Sequence, residues 1–300
     1  MYTIEGCMSE GELAELVRAG DAAFEADLEA LAGEILTDGS IRLLGLTGPT
    51  CSGKTTAAAM LTRALEAEGR AVHVISIDDF YFGKEILLRT SREKGRTEPD
   101  YDSPDTIDVE LMRAAVRSLL SGRETRMPRF NFRTGQRESG ELLRPRAGDL
   151  FLFEGIQILY PQVDALLRQE GYYSFCVCPQ SAIAAGGEVF LPNEIRLMRR
   201  LVRDVIYRAA APSFTFFLWN SVRENEEKNI FPYIGTCNRT VDSTMPYEIG
   251  LLKPYLERYL TGEWVGDFWQ EADGILARLA DVQPVPDGLI QPDSLYKEFI

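Results

Sequence analysis

The spacing of apolar residues changes several times along this chain, and each change marks an element. Across residues 8–36, Ala, Leu and Glu recur at helical spacing, which predicts one or two amphipathic helices packed beside a core. Ile41-Arg-Leu-Leu-Gly-Leu-Thr47 is nearly continuous apolar sequence, as in a strand buried on both faces. From Thr55 to Glu68 the period returns to that of a helix, with Ala57, Met60, Leu61, Ala64 and Leu65 on one face and Gly69 as the stop. Ala71–Ile77 predicts a second buried strand, ending at Asp78-Asp79-Phe80-Tyr81. Residues 83–107 are polar and irregular, with Pro99 and Pro104. Asp108 is an N-cap for a helix through Leu120. Arg126–Gln136 and Glu141–Arg146 predict short strands or a hairpin projecting from the main sheet.

The remaining pattern continues the alternation. Asp149–Glu154 predicts a third buried strand, Val163–Gln169 a helix, and Tyr173–Cys178 a further strand. Helices are expected at about Glu194–Ala210, Pro212–Lys228 and Pro246–Tyr259. Strands that alternate with helices imply an α/β fold whose parallel sheet is covered by helices on both faces. No repeat or low-complexity linker interrupts it. The expected organisation is an N-terminal helical extension over 1–40, a main domain over 41–262 and a C-terminal helix and tail over 263–300.

Composition narrows the function classes. No apolar run reaches the ~18 residues of a membrane span. Residues 1–30 carry Glu5, Glu10, Glu12 and Glu15, and lack the basic then apolar pattern of a secretory leader, so a cytoplasmic location is expected. Cys176 and Cys178 fall on one face of a strand without a second closely spaced cysteine pair, which argues against disulfide and zinc alike. His73 is the only histidine and lies within a strand, where packing or a strand-edge contact fits better than hydrolase chemistry. A net charge of −14 disfavours a nucleic-acid surface. Arginines nevertheless concentrate over 123–146 and 196–208, which suggests local phosphate handling or simply solvated side chains.

The strongest chemical signal is Gly48-Pro-Thr-Cys-Ser-Gly-Lys-Thr55, a complete G-x-x-x-x-G-K-[ST] loop between a predicted strand and a predicted helix. Such a turn aims backbone N–H groups and the positive helix end at one point, where phosphate oxygens are held. Lys54 would reach the β/γ-phosphates of a nucleoside triphosphate and Thr55 would offer its hydroxyl to Mg²⁺. Cys51 lies inside this loop. It is either a small packed side chain or, if accessible, a thiol activated by positive potential.

Acids at the carboxyl ends of neighbouring strands suggest what happens to the phosphate, because ligands bind at that edge of an open α/β sheet. Asp78 and Asp79 end one strand and Glu154 another. A phosphoryl acceptor needs a carboxylate base, and Mg²⁺ needs oxygen ligands. Arg196, Arg199, Arg200 and Arg203 share an arc of roughly 100° on a helical wheel, opposite an apolar face, which predicts a lid helix within about 192–210. An exposed face paired to Glu194 and Asp204 is the alternative.

Taken in order, these motifs resemble the uridine kinase/phosphoribulokinase family of P-loop kinases. The resemblance runs from Ile41 to Tyr259. After the phosphate loop come Ile77-Asp-Asp-Phe-Tyr81, Tyr101-Asp-Ser-Pro-Asp-Thr-Ile-Asp108, Pro128-Arg-Phe-Asn-Phe132, Leu152-Phe-Glu-Gly-Ile156 and Arg196-Leu-Met-Arg-Arg-Leu-Val-Arg-Asp204. It implies a P-loop NTPase fold with a projecting β-hairpin and helical lid, and ATP- and Mg²⁺-dependent transfer of a phosphoryl group to a hydroxyl. Gly48, Pro49, Thr50, Cys51, Ser52, Gly53, Lys54, Thr55 and Thr56, with Arg199 and Arg203, would hold ATP. Asp78 would be the general base, Thr55, Asp78 and Glu154 would serve Mg²⁺, and Tyr81, Asp102, Phe130 and Arg196 would line the acceptor site.

The acceptor is less determined. Where uridine kinases place a tyrosine and then a histidine against the pyrimidine, this chain has Phe130 and Gly135. A nucleoside or a related small-molecule hydroxyl is the expected partner. A sugar phosphate or pantothenate-like acid held by Arg129, Arg133 and Arg137 is the alternative within the class, and a non-catalytic nucleotide-binding regulator the alternative outside it. Neither nucleic acid nor membrane is an expected partner, and a homo-oligomer is compatible with the sequence.

Overall fold

The structure, a computed structural model, describes residues 1–93, 95 and 103–300. In chain order the elements of the first half are β1 (Tyr2–Ile4), α1 (Glu10–Thr37), β2 (Leu43–Thr47), α2 (Lys54–Ala67), β3 (Val72–Ser76), α3 (Lys84–Glu93), α4 (Val109–Leu120), β4 (Thr125–Asn131) and β5 (Gln136–Leu143). There follow β6 (Leu150–Glu154), α5 (Pro161–Gln169), β7 (Tyr172–Cys178), β8 (Ile183–Ala185), β9 (Glu188–Phe190), α6 (Pro192–Arg208), α7 (Pro212–Asn229), β10 (Arg239–Asp242), α8 (Glu248–Tyr259) and α9 (Trp269–Leu279).

The central sheet has the order β10-β7-β2-β6-β3, and every neighbouring pair in it is parallel. Its period-two alternation fills two separate cores. Leu44, Leu46, Leu150, Leu152, Phe175, Val177 and Val241 face the layer containing α1, α2, α6 and α8. Leu43, Ile75, Phe151 and Phe153 face α4 and α5 on the other side. Continuous apolar strands are what burial on both faces requires.

Several expectations need correction. Residues 8–36 form one helix, α1, whose start is fixed by a capping box between Ser9 and Glu12. β3 is the sheet edge and not a strand buried on both faces, so Val74 is 45% exposed, and His73 makes the expected strand-edge contact, with Asp149 at 2.8 Å. Part of the irregular 83–107 stretch is the helix α3. A further strand, β10, which the sequence pattern did not predict, pairs beyond β7, and β1, β8 and β9 form a small second sheet. These strands are three or four residues long, too short to show a period. The projecting hairpin is present as antiparallel β4 and β5.

The arginine arc of α6 also differs from expectation. Arg196, Arg199, Arg200 and Arg203 are all buried, while Ile206 and Tyr207 are exposed. Helical spacing gives a side chain's direction and not its surroundings. Here α7, α8 and the segment at 294–300 bring acids and aromatic rings over the polar face. Among the described residues, no helix is long and apolar enough to cross a membrane.

Candidate active site

The phosphate loop joins β2 to α2 as the spacing predicts. Its two glycines are required sterically. A Cβ at Gly48 would lie 2.1 Å from the Val177 carbonyl oxygen, and Gly53 has φ +88° with its missing Cβ directed at Leu295. Pro49, Cys51 and Ser52 are buried beneath the loop, with Thr50 and Thr56 partly exposed. Lys54 folds back across the loop, where its ammonium donates to the carbonyl oxygens of Gly48 (3.0 Å) and Pro49 (2.9 Å). Burial lowers its pKa, against the opposing pull of Glu298 and Glu154. The Cys51 thiol is enclosed, and burial pushes its pKa up despite Arg203 and Arg200 nearby. The accessible, activated thiol is therefore not found.

A cleft of about 610 Å³ opens beside the loop. Lys54 and Thr55 form one wall, and Asp78, Tyr81 and Glu154 another. The two neighbouring acids that follow β3 point to different places. Asp78 lines the cleft, where its Oδ1 accepts from the Gln157 amide at 2.7 Å. Asp79 lies outside it, beneath the hairpin, and accepts from the Phe130 N–H at 2.9 Å. Burial raises the pKa of Glu154, and Asp78 adds to the rise while Lys54 counters it.

Across the cleft, Arg200, Arg203 and Arg208 share one carboxylate, that of Asp204. Burial would raise the pKa of Asp204, but the three guanidinium groups outweigh it and hold the carboxyl below its usual range. Three cations against one anion leave net positive charge facing Asp78 and Glu154. Arg196 and Arg199 stand apart. Arg196 makes a bidentate pair with Glu226 (2.5 and 2.6 Å), and Arg199 pairs with Glu248 (2.7 Å) and donates to the Cys51 and Ser243 carbonyl oxygens. Both brace the loop from behind and neither lines the cleft.

Of the expected acceptor residues, Tyr81 lines the cleft and Phe130 is buried behind it, with the rings edge-on at 5.3 Å. Asp102 lies outside the described residues. Gly135, at φ +68°, abuts Lys84. Arg137 pairs with Asp108, and Arg129 faces the groove under the hairpin.

Among the cleft residues that the sequence reading did not assign to the site, four bear on its chemistry. Phe132 is 59% exposed at the mouth, at the end of the Pro128–Phe132 motif, whose sequence alone gives no sign of that exposure. Gln157 follows Leu152–Ile156 directly. Glu226 accepts from the Thr50 N–H at 3.1 Å, and Glu298 accepts from the Thr56 N–H at 3.3 Å. Glu298 is far from the loop in sequence, so no local signal could have found it.

The residues fit both expected groups. The loop ends at the N-terminus of α2 and opens on the cleft through Lys54 and Thr55, where phosphate oxygens would be held. Thr55, Asp78 and Glu154 offer the hard oxygen donors that Mg²⁺ prefers.

Comparison with known proteins points to one family. The family model described as "Phosphoribulokinase / Uridine kinase family" matches residues 43–236. A chloroplastic uridine/cytidine kinase of Arabidopsis thaliana is 29% identical over 169 residues, 55% of this chain and 30% of that protein. Uridine-cytidine kinase B of Dictyostelium discoideum is 30% identical over 166 residues, 55% of this chain and 59% of that protein. The chain thus spans between about a third and three fifths of these two relatives. Among solved structures, D-glycerate 3-kinase from Cryptococcus neoformans aligns with a TM-score of 0.45 at 14% identity, covering 74% of this chain and 88% of that one. The family match takes in the phosphate loop, both acidic strand ends and the arginines of α6, and on it the chain belongs to the phosphoribulokinase/uridine kinase family.

Proposed function

We propose that this protein is a kinase that transfers the γ-phosphoryl group of ATP to a hydroxyl of a nucleoside or a similar small molecule. The observation that carries the reading is the placement of Asp78 in the same cleft as Lys54 and Thr55, with Asp79 turned away. Bound Mg²⁺ would supply charge neutralisation between phosphate oxygens and the carboxylates of Asp78 and Glu154. Lys54 would exchange its two carbonyl partners for phosphate oxygens, a charge-assisted contact that is stronger than either. Arg200, Arg203 and Arg208 would stabilise charge on the transferred group from the opposite wall. Asp78 would accept the hydroxyl proton as the acceptor attacks. Positioning and electrostatics carry most of the catalysis in such transfers.

The acceptor wall is aromatic. Tyr81, Phe130 and Phe132 make mutual edge contacts; Phe132, exposed at the mouth, offers a ring to stack on with no side-chain hydrogen bond for a base, and Phe130 supports it from behind. This supports a nucleoside-like acceptor read with little selectivity between bases. The pairing of Arg137 with Asp108 and the placement of Arg129 outside the cleft weaken the case for an anionic acceptor. The test is ATP consumption over uridine, cytidine, adenosine, sugar phosphates and carboxylic acids. Transfer to several nucleosides, abolished in Lys54→Ala, is expected. Strong selectivity for uridine would sink the unselective wall, and turnover by Lys54→Ala would sink the kinase reading.

A further inference from the structure

Gln157 is buried (1% exposed) between the two strand ends that carry the acids. Its Nε2 lies 2.7 Å from Asp78 Oδ1 and 2.7 Å from Tyr81 Oη, while its Oε1 is buried with no hydrogen-bond partner among the described residues. The amide cannot be reversed, because that would set Oε1 against a carboxylate. Retaining a buried amide with one oxygen unsatisfied needs an explanation, and the chemistry at its other end supplies one. We propose that Gln157 is a positioning residue, which clamps Asp78 and Tyr81 through one nitrogen and leaves Asp78 Oδ2 for the acceptor hydroxyl.

This rests on the reading of Asp78 as base. The variant Gln157→Met keeps length and volume without the donors. It should cut kcat about 10- to 100-fold and leave KM for ATP within about twofold. Combined with Asp78→Asn, it should lower kcat by less than about twofold further, because its effect runs through Asp78. Additive losses, or a raised KM for ATP, would overturn the clamp while leaving the base intact. Full activity of Asp78→Asn alone would overturn both. Should Gln157→Met fail to fold, Gln157→Glu takes its place, and unchanged kcat there would reject the clamp.

A separate observation concerns residues 294–300. Leu295 is seated against Gly53, and the Tyr296 and Phe299 rings lie 5.5 and 5.1 Å from the Arg199 guanidinium. Tyr207 donates to the Ile300 carbonyl oxygen at 2.7 Å. Glu298 Oε2 accepts from both the N–H (3.3 Å) and the hydroxyl (3.2 Å) of Thr56 in the first turn of α2. A carboxylate there uses the amide and dipole that otherwise hold a phosphate. The contacts exceed the ~2.7–2.9 Å of a firm charge-assisted bond, so the Glu298 contact is weak, while Leu295, Tyr296 and Phe299 hold the segment itself in the core. We infer that this segment is a strap across the nucleotide side of the loop, with Glu298 standing in for a phosphate and displaced when MgATP binds.

The inference rests on nucleotide binding at the loop. Calorimetry with MgATP should show about 3- to 10-fold tighter binding to Glu298→Gln than to wild type, because the variant loses the competing charge. Amide exchange over 294–300 should speed up in wild type when MgATP is added. Equal or weaker binding by Glu298→Gln, or increased protection of the segment, would make it a fixed wall and end the inference. Absence of MgATP binding in both proteins would instead overturn the nucleotide reading beneath it.

Discussion

At the residue scale, the adjacent pair Asp78 and Asp79 separates chemistry from support. Asp78→Asn is expected to preserve MgATP affinity and reduce turnover about 10²- to 10⁴-fold, the range for a positioned base. Asp79→Asn keeps the acceptor for the Phe130 N–H and should hold kcat within about threefold, because a carboxylate outside the cleft takes no part in proton transfer. Burial raises the pKa of Asp79, and Asp78 adds to the rise. A carboxyl raised in the fold binds protons more tightly folded than unfolded, so its ionisation costs stability as pH rises through the raised value. Asp79→Asn should therefore be the more stable protein near neutrality, and the difference should vanish below about pH 4, the unfolded value. Urea titrations at both pH values measure this. Cys51 gives a simpler expectation. With its thiol buried and its pKa pushed up, it should resist alkylation at neutral pH while exposed Cys7 reacts. Peptide mapping that finds Cys51 labelled as fast as Cys7 would contradict the burial.

At the element scale, α6 divides its arginines between structure and chemistry. Arg199 and Glu248 are a fully buried pair, and Arg199 also holds the Cys51 carbonyl oxygen of the loop. Arg199→Met would leave the Glu248 carboxylate buried without its cation, which is expected to lower unfolding free energy by about 3–5 kcal/mol. Arg208 sits at the other extreme, with its side chain 57% exposed at the cleft rim. Arg208→Ala should leave stability within about 0.5 kcal/mol, as surface changes do, and raise KM for ATP. Denaturation and steady-state kinetics on the two variants separate the roles. Equal stability of Arg199→Met and wild type would show that the guanidinium is not the partner keeping Glu248 buried.

At the scale of the whole molecule, one core ties the ends of the chain to the phosphate loop. Leu13, Val17, Phe24, Leu28, Leu31 and Ile35 of α1 are buried in the same cluster as Leu44 of β2, Leu61 of α2, and Tyr296 and Phe299. Removing residues 1–38 would expose those partners to water at roughly 1.5–3 kcal/mol for each large side chain uncovered. Such a loss exceeds the margin of most domains. The truncated protein is expected to lose cooperative thermal unfolding, and a sharp transition near that of the full chain would show α1 to be dispensable.

Local chemistry made much of this legible. The loop Gly48–Thr55, the strands β2, β6 and β7 and the Asp108 cap follow from period, glycine geometry and capping, which are properties of a few neighbouring residues. The acids at the ends of β3 and β6 were legible for the same reason, because a parallel sheet aligns its strand ends. Tertiary structure decided what those residues face. It turned Asp78 inward and Asp79 under the hairpin, brought Glu226 and Glu248 onto two arginines that a helical wheel left exposed, and set Glu298 on Thr56. Burial and pairing depend on segments from 30 to 242 residues apart, and no local pattern of spacing carries that information.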